Sequence, residues 1–231
     1  MIYLIYHAQK IRAKRKYETE KRIAELQLRS IKGQTDPHFT LNLLNSMGAL
    51  FDAQDKRKAG YIFGKYAKML RTTILSSERI DSTLETELEF VENYLELEKI
   101  RFSDKFEYRI EVGKEIDTQI PIPKMLLHTF VENAVKHGIR HRDAGGMITL
   151  NISNQDHHYL ILIRDNGPGH PPDSERPVNS TGKGLKILDD ILRLYFELRK
   201  VNISYIMEYH NGQEDSGEGV TALIKIPVPE T

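Results

Sequence analysis

The chain has 231 residues, 39% of them hydrophobic, which suffices for one large domain or two modest ones with a real core. Lys+Arg and Asp+Glu stand at 33 each, so no global field recruits nucleic acid or a strongly acidic partner. The absence of Cys excludes a disulfide framework and a thiolate metal site, and no apolar run reaches the roughly twenty residues of a bilayer-spanning helix.

Residues 1–6, Met-Ile-Tyr-Leu-Ile-Tyr, are apolar and aromatic and run into Lys10, Arg12, Lys14, Arg15, Lys16, Lys21 and Arg22. This order reads either as the cytoplasmic edge of a membrane helix under the positive-inside rule or as a basic amphipathic or coiled-coil leader. A secretory signal does not fit, because the apolar part is short and precedes the charge. From about Lys10 to Ser30 there is no Gly or Pro, and Ile23, Leu26 and Leu28 are the apolar points of an exposed or coiled-coil helix.

The stretch from Gln34 to Met47 carries the first candidate for chemistry. Pro37 cannot donate to the carbonyl of Gly33, so a bend or a fresh helix start is expected, with Asp36 as N-cap and Pro37 at the first helical position. At 3.6 residues per turn His38, Asn42 and Asn45 share one stripe, and Leu41, Leu44 and Met47 form an apolar stripe expected to be buried. His38 falls in the first turn, where backbone N–H groups lack partners and an anion is welcome. A single helical His is, by itself, more often a surface or cap residue.

A turn at Asp52–Arg57 leads to a second helix from about Lys56 to Ser76, with Tyr61, Tyr66, Met69, Leu70 and Ile74 as candidate buried points. Ser82-Thr-Leu-Glu85 reads as a capping box for a third helix, whose stripe of Leu84, Leu88, Val91 and Leu95 runs on to about Phe102. These helices read as a bundle, and a helical hairpin with apolar faces pairs with a copy of itself, so a homodimer is expected.

Beyond Asp104 the texture changes. Phe106, Tyr108, Ile110 and Val112 alternate as in a half-buried strand. Pro121 and Pro123 introduce a helix from about Lys124 to His137, and strands follow at Met147–Ser153 and Tyr159–Asp165. A Gly/Pro/Ser-rich loop, Gly167–Thr181, is long enough to be functional. A helix at about Gly184–Glu197 and strands at Ile203–His210 and Val220–Val228 complete the chain. The class is α+β with a mixed sheet: a helical hairpin followed by a two-layer α/β sandwich. The expected divisions are a linker helix at 1–29, a helical unit at 30–103 and an α/β unit at 104–231.

Three clusters in the second half could hold a nucleotide. In Glu132-Asn133-Ala-Val-Lys136-His137-Gly138, Asn133 offers a hard amide oxygen to Mg²⁺, and Lys136 and His137 offer donors to phosphates. The plain alternative is an i,i+4 ion pair at a helix end closed by Gly138. Asp165-Asn-Gly167-Pro-Gly169 places a carboxylate at the exit of an apolar strand, where it can accept an adenine amino group or simply close a turn. Gly182-Lys183-Gly184-Leu185 opens the last long helix and lets backbone N–H groups approach an anion, but lacks the spacing of a Walker A loop. A zinc pair from His137 and His141 has no carboxylate or Cys partner.

Taken together, these clusters resemble the N, G1 and G2 boxes of the Bergerat-fold ATPases, which include histidine kinases, Hsp90, gyrase B and MutL. The upstream Gln34-x-x-Pro37-His38-Phe39-x-x-Asn42-x-x-Asn45, with Tyr94-Leu-Glu-Leu-Glu-Lys-Ile-Arg101-Phe102, resembles the LytS/YehU-type sensor histidine kinases over nearly the whole chain. That resemblance implies Mg-ATP-dependent autophosphorylation of His38 and transfer to an aspartate of a response regulator. It further implies Asn133 as Mg²⁺ ligand, Glu132 as the acidic N-box position, and Asp165 as adenine reader. Lys136, His137, Lys183 and Leu185 stand in the matching boxes, and Gly167, Gly169, Gly182 and Gly184 as backbone approaches to ATP. The resemblance also implies a membrane part upstream, a cytoplasmic location for this portion, and a homodimer. Asp36 replaces the usual Asn, Thr40-Leu41 the usual Leu-Phe, and Lys183 an aliphatic residue. Two rivals use the same boxes without His38: an ATPase or serine/threonine kinase, and a nucleotide-binding pseudokinase or scaffold.

Overall fold

The computed structural model describes residues 37–52, 55–75, 80–103, 105–168, 183–211 and 218–228, with further helical positions between residues 3 and 14. Among these, no helix is long and apolar enough to cross a membrane. Asp36, Gly169 and Gly182 lie outside the described residues.

Helix α1 (Pro37–Asp52) opens on Pro37, whose fixed φ suits a first helical position. Its buried stripe is Phe39, Leu43 and Met47, not Leu41, Leu44 and Met47: Leu41 and Leu44 are 56% and 51% exposed. The aromatic ring decides between the two stripes. Phe39 lies 5.5 Å from the ring of Tyr94 and 6.2 Å from that of Tyr66, and burying it rotates the two leucines outward.

Helix α2 (Lys56–Leu75) buries Ala59, Ile62, Met69 and Thr73. Tyr61, expected inside, lies on the outer face, where its hydroxyl donates to Glu96 at 2.6 Å. Tyr66 is half-buried with its hydroxyl 2.8 Å from that of Thr40, which ties α2 to α1.

Strand β1 (Asp81–Thr83) pairs antiparallel with β3 (Pro121–Pro123). That pairing holds Ser82 extended, so the cap of helix α3 (Leu84–Arg101) falls one residue later than the sequence suggests. Thr83 Oγ1 accepts from the N–H of Thr86 at 3.2 Å, while the Ser82 hydroxyl donates to Glu87 at 3.0 Å. Pro121 and Pro123 thus belong to a strand and not to a helix start. The buried side of α3 includes Leu84, Val91, Tyr94, Leu95 and Glu98.

The next helix, α4 (Leu126–Asn133), is entered through Met125 at φ 69°. This left-handed turn is held by buried Glu87, which accepts from the Met125 N–H at 3.0 Å. α-geometry ends at Asn133, short of the expected His137. A π turn (Ala134–Gly138) and a 3₁₀ turn (Ile139–His141) follow.

The described residues build a five-stranded sheet in the order β2-β4-β5-β7-β6. Its strands are β2 (Phe106–Val112), β4 (Gly146–Gln155), β5 (His158–Asp165), β6 (Ser204–Asn211) and β7 (Glu218–Pro227). β2 runs parallel to β4, and the other neighbours are antiparallel. Burial alternates with period two: Ile148, Leu150 and Ile152 of β4, Tyr159, Ile161 and Ile163 of β5, and Ala222, Ile224 and Ile226 of β7 face the core. α4 and helix α5 (Lys183–Arg199) cover that face, with Leu188, Ile191, Leu194 and Tyr195 as the buried stripe of α5. The result is the mixed α+β architecture expected, a helical hairpin beside a two-layer sandwich.

Candidate functional site

The site begins with a break in the pattern of β5. Its buried positions read Tyr159, Ile161, Ile163 and then Asp165, so a carboxylate occupies the last inward-facing register position, opposite Ile148 on one side and Val220 on the other. Burial pushes its pKa up to about 6, partly offset by N–H donors from Gly167 and Val220. The Gly167 N–H donates to Asp165 Oδ1 at 2.8 Å.

Three glycines make room for this carboxylate. A Cβ on Gly138 would overlap the Asp165 carboxyl group, and one on Gly167 would overlap the Cα of Gly138. Gly219, at φ 134°, passes so close to the Asp165 carbonyl that a side chain is excluded there too. The π turn that carries Gly138 therefore lies directly against the exit of β5. Neighbouring Asn166 locks the same exit: its amide accepts from the Met147 N–H at 2.7 Å and donates to the Gly145 carbonyl at 3.0 Å, and Arg142 donates to its backbone carbonyl.

The candidate residues of the π turn and its approach divide between two faces. Glu132 and Lys136 pair at 2.8 Å, the i,i+4 contact that spacing allows, Asn133 is half-buried, and His137 is exposed. Gly184, at the start of α5, has Thr129 of α4 as its nearest neighbour, with a built Cβ 3.9 Å from Thr129 Cγ2. The start of α5 is thus brought beside the helix that carries Asn133. Leu185 is half-buried against the core. Lys183 is the first residue of α5, and its side chain, like that of His38, lies outside the described residues.

The opposite side of the Asn133 segment faces the helical hairpin. The ring of Phe39 packs on Tyr94, and Tyr94 packs edge-on against His128 at 4.9 Å, one turn before Glu132. A cavity of about 300 Å³ separates α1 from this segment and is bordered by Asn42, Glu132 and Lys136 among others. The structure thus brings α1, one turn past His38, alongside Glu132 and Lys136. Gly219 and Arg142 carry no motif, and Asn166 stands inside the Asp165–Gly169 cluster without a role that the sequence assigns. Tyr94–Phe102 carries part of the family resemblance, and the sequence assigns it no role.

Residues 26–106 match the family described as histidine kinase, and residues 123–230 match the histidine kinase-, DNA gyrase B- and HSP90-like ATPases. A Bacillus subtilis protein, YwpD, is 31% identical over 219 residues, spanning 90% of this chain and 73% of its own length. Sensor protein LytS of Streptococcus mutans is 28% identical over 217 residues, which cover 91% of this chain and 36% of that protein. The chain thus spans about a third of that relative's length. The histidine kinase domain of the Erythrobacter litoralis blue-light kinase EL346 overlaps 92% of this chain and 96% of its own, at TM-score 0.48 and 13% identity.

The chain belongs to the histidine kinases: a helical segment of that family joined to an ATPase-like domain.

Proposed function

We propose that this chain is the kinase portion of a two-component sensor, which binds Mg-ATP on the sheet-bearing unit and phosphorylates His38. The observation that carries this reading is the contact of Gly138 with both Asp165 and Gly167, because it gathers two separate nucleotide motifs around one buried carboxylate. The helical unit at 30–103 supplies the histidine and the unit at 104–231 the nucleotide seat.

In this reading Asp165 accepts the adenine amino group, and Gly167, Gly169, Gly182 and Gly184 let the backbone approach the nucleotide. Lys136 and His137 are the candidate donors to its phosphates, and Lys183 and Leu185 stand in the matching box. Among the described residues no cluster of three or more His, Asp or Glu is ready for a metal. A divalent cation that arrives with the phosphates would take Asn133 as its protein oxygen, the habit of Mg²⁺. When bound, it neutralises charge on the phosphate oxygens.

An unprotonated ring nitrogen of His38 attacks the terminal phosphorus. The N–P bond forms as the bond to the β,γ-bridging oxygen breaks, and ADP leaves with that electron pair. The proton on the other ring nitrogen passes to a base, for which Glu132 is the candidate. An imidazole, with an ordinary pKa of about 6.5, is largely unprotonated at pH 7. The phosphoryl group then moves to an aspartate of a response regulator. The protein acts as a homodimer through its helical unit and is held at the membrane by sequence upstream, with this portion in the cytoplasm.

The test is transfer of radiolabelled γ-phosphate. Label on the native chain that is lost in acid, retained in base and absent from His38→Gln supports the reading. Acid-stable label, or equal labelling of His38→Gln, overturns it.

A further inference from the structure

We infer that the cavity between α1 and the Asn133 segment is a seat for the phosphoryl group in transit, with Arg101 as the residue that grips it. The inference rests on the kinase reading and names a residue which that reading leaves without a role.

The cavity, about 300 Å³, has room for roughly ten water-sized groups at about 30 Å³ each. Three cations border it, Arg101, Lys136 and Arg140, against two carboxylates, Glu98 and Glu132. Each carboxylate already faces one cation: Arg101 Nε donates to Glu98 at 2.5 Å, and Lys136 pairs with Glu132 at 2.8 Å. The described lining residues therefore carry one positive charge in excess, which favours an anion.

His128 borders the same cavity and is 2% exposed, its ring packed edge-on against Tyr94 at 4.9 Å.

Arg101 is built for aim. Glu98, itself buried, holds the guanidinium through Nε, and its plane lies over the Phe102 ring with 4.1 Å from Cζ to the centroid. The Nη groups, which Glu98 does not engage, suit the forked geometry that Arg makes with phosphates. Charge on a transferring phosphoryl group is spread over its three non-bridging oxygens, where such a cation is most effective. Asn42, one turn beyond His38 on α1, borders the same cavity. Glu98 is then a positioning residue.

The test is single-turnover phosphorylation of His38, with ATP affinity and the melting midpoint measured on the same samples. Arg101→Gln is expected to bind ATP within about threefold of the native chain and to phosphorylate at least a hundredfold more slowly. Arg101→Lys should recover part of the rate, and Glu98→Gln should lower the rate without weakening ATP binding. If the native chain labels His38 and Arg101→Gln labels it equally fast, or loses rate only in proportion to ATP affinity, the seat is wrong and the kinase reading stands. If the native chain leaves His38 unlabelled, the kinase reading itself fails. Should Arg101→Gln unfold, Arg140→Gln at an exposed position decides: a fall of fivefold or more supports the seat, and an unchanged rate overturns it.

Discussion

Asp165 is a carboxylate placed where the alternation of β5 calls for an apolar side chain, and it is costly to ionise there. Its pKa of about 6 stands above the roughly 3.9 of an unfolded aspartate, so the folded chain keeps the proton between those values. The contribution of Asp165 to stability is therefore full below about pH 4 and falls as pH rises to about 6, by on the order of 2–3 kcal/mol. Asp165→Asn should raise the melting midpoint of the nucleotide-free protein at pH 7 and weaken ATP binding at least tenfold, as thermal unfolding and titration would show. In the native chain ATP affinity should decline as pH drops below 6. Gly167 offers a second test. Its missing side chain faces backbone, not a flexible tip, so Gly167→Ala should cost about 1–3 kcal/mol in denaturant unfolding and weaken ATP binding with it. Much of this corner was legible, because a strand ending in Asp-x-Gly carries its own signal. Gly219 and Asn166 were not, since their partners are fixed by register between strands far apart in sequence.

At the scale of the helix, α1 shows where periodicity alone misleads. Two stripes of comparable apolarity run along it, and a 3.6-residue repeat cannot rank them. The aromatic cluster of Phe39, Tyr66 and Tyr94 ranks them, and two of its members come from other helices. The displaced leucines, together with Tyr61 and Phe63 of α2 at 48% and 63% exposure, leave apolar surface on the hairpin. In the proposed homodimer that surface is covered. Leu41→Asp combined with Leu44→Asp should therefore convert dimer to monomer in sedimentation while leaving the melting midpoint of the isolated fold within a few degrees. An unchanged dimer would place the interface elsewhere. The π turn was equally hidden, because Gly138 marks a helix end without announcing a widened turn before it, and that turn answers to the packing of Gly138 on β5.

For the whole molecule, the sequence foretold a helical hairpin, an α/β unit and their order, but not how the sheet is wired. The parallel pairing of β2 with β4, around an intervening strand and helix, follows from no local signal. Nor does the way α1 is set against the second unit through Phe39, Tyr94 and His128. This contact yields a prediction at the same scale. Phe39→Ala should cost about 3–5 kcal/mol if the hairpin cannot collapse around the gap, and it should slow His38 labelling more than it weakens ATP binding. A variant with both properties intact would mean that the two units act independently.

The abutment of Gly138 on Gly167 carries a mechanical consequence. Two alpha carbons with nothing between them leave no compliant layer, so the exit of β5 and the segment bearing Asn133 behave as one welded frame. Any breathing that lets a nucleotide in or out has to be hinged somewhere other than along that seam.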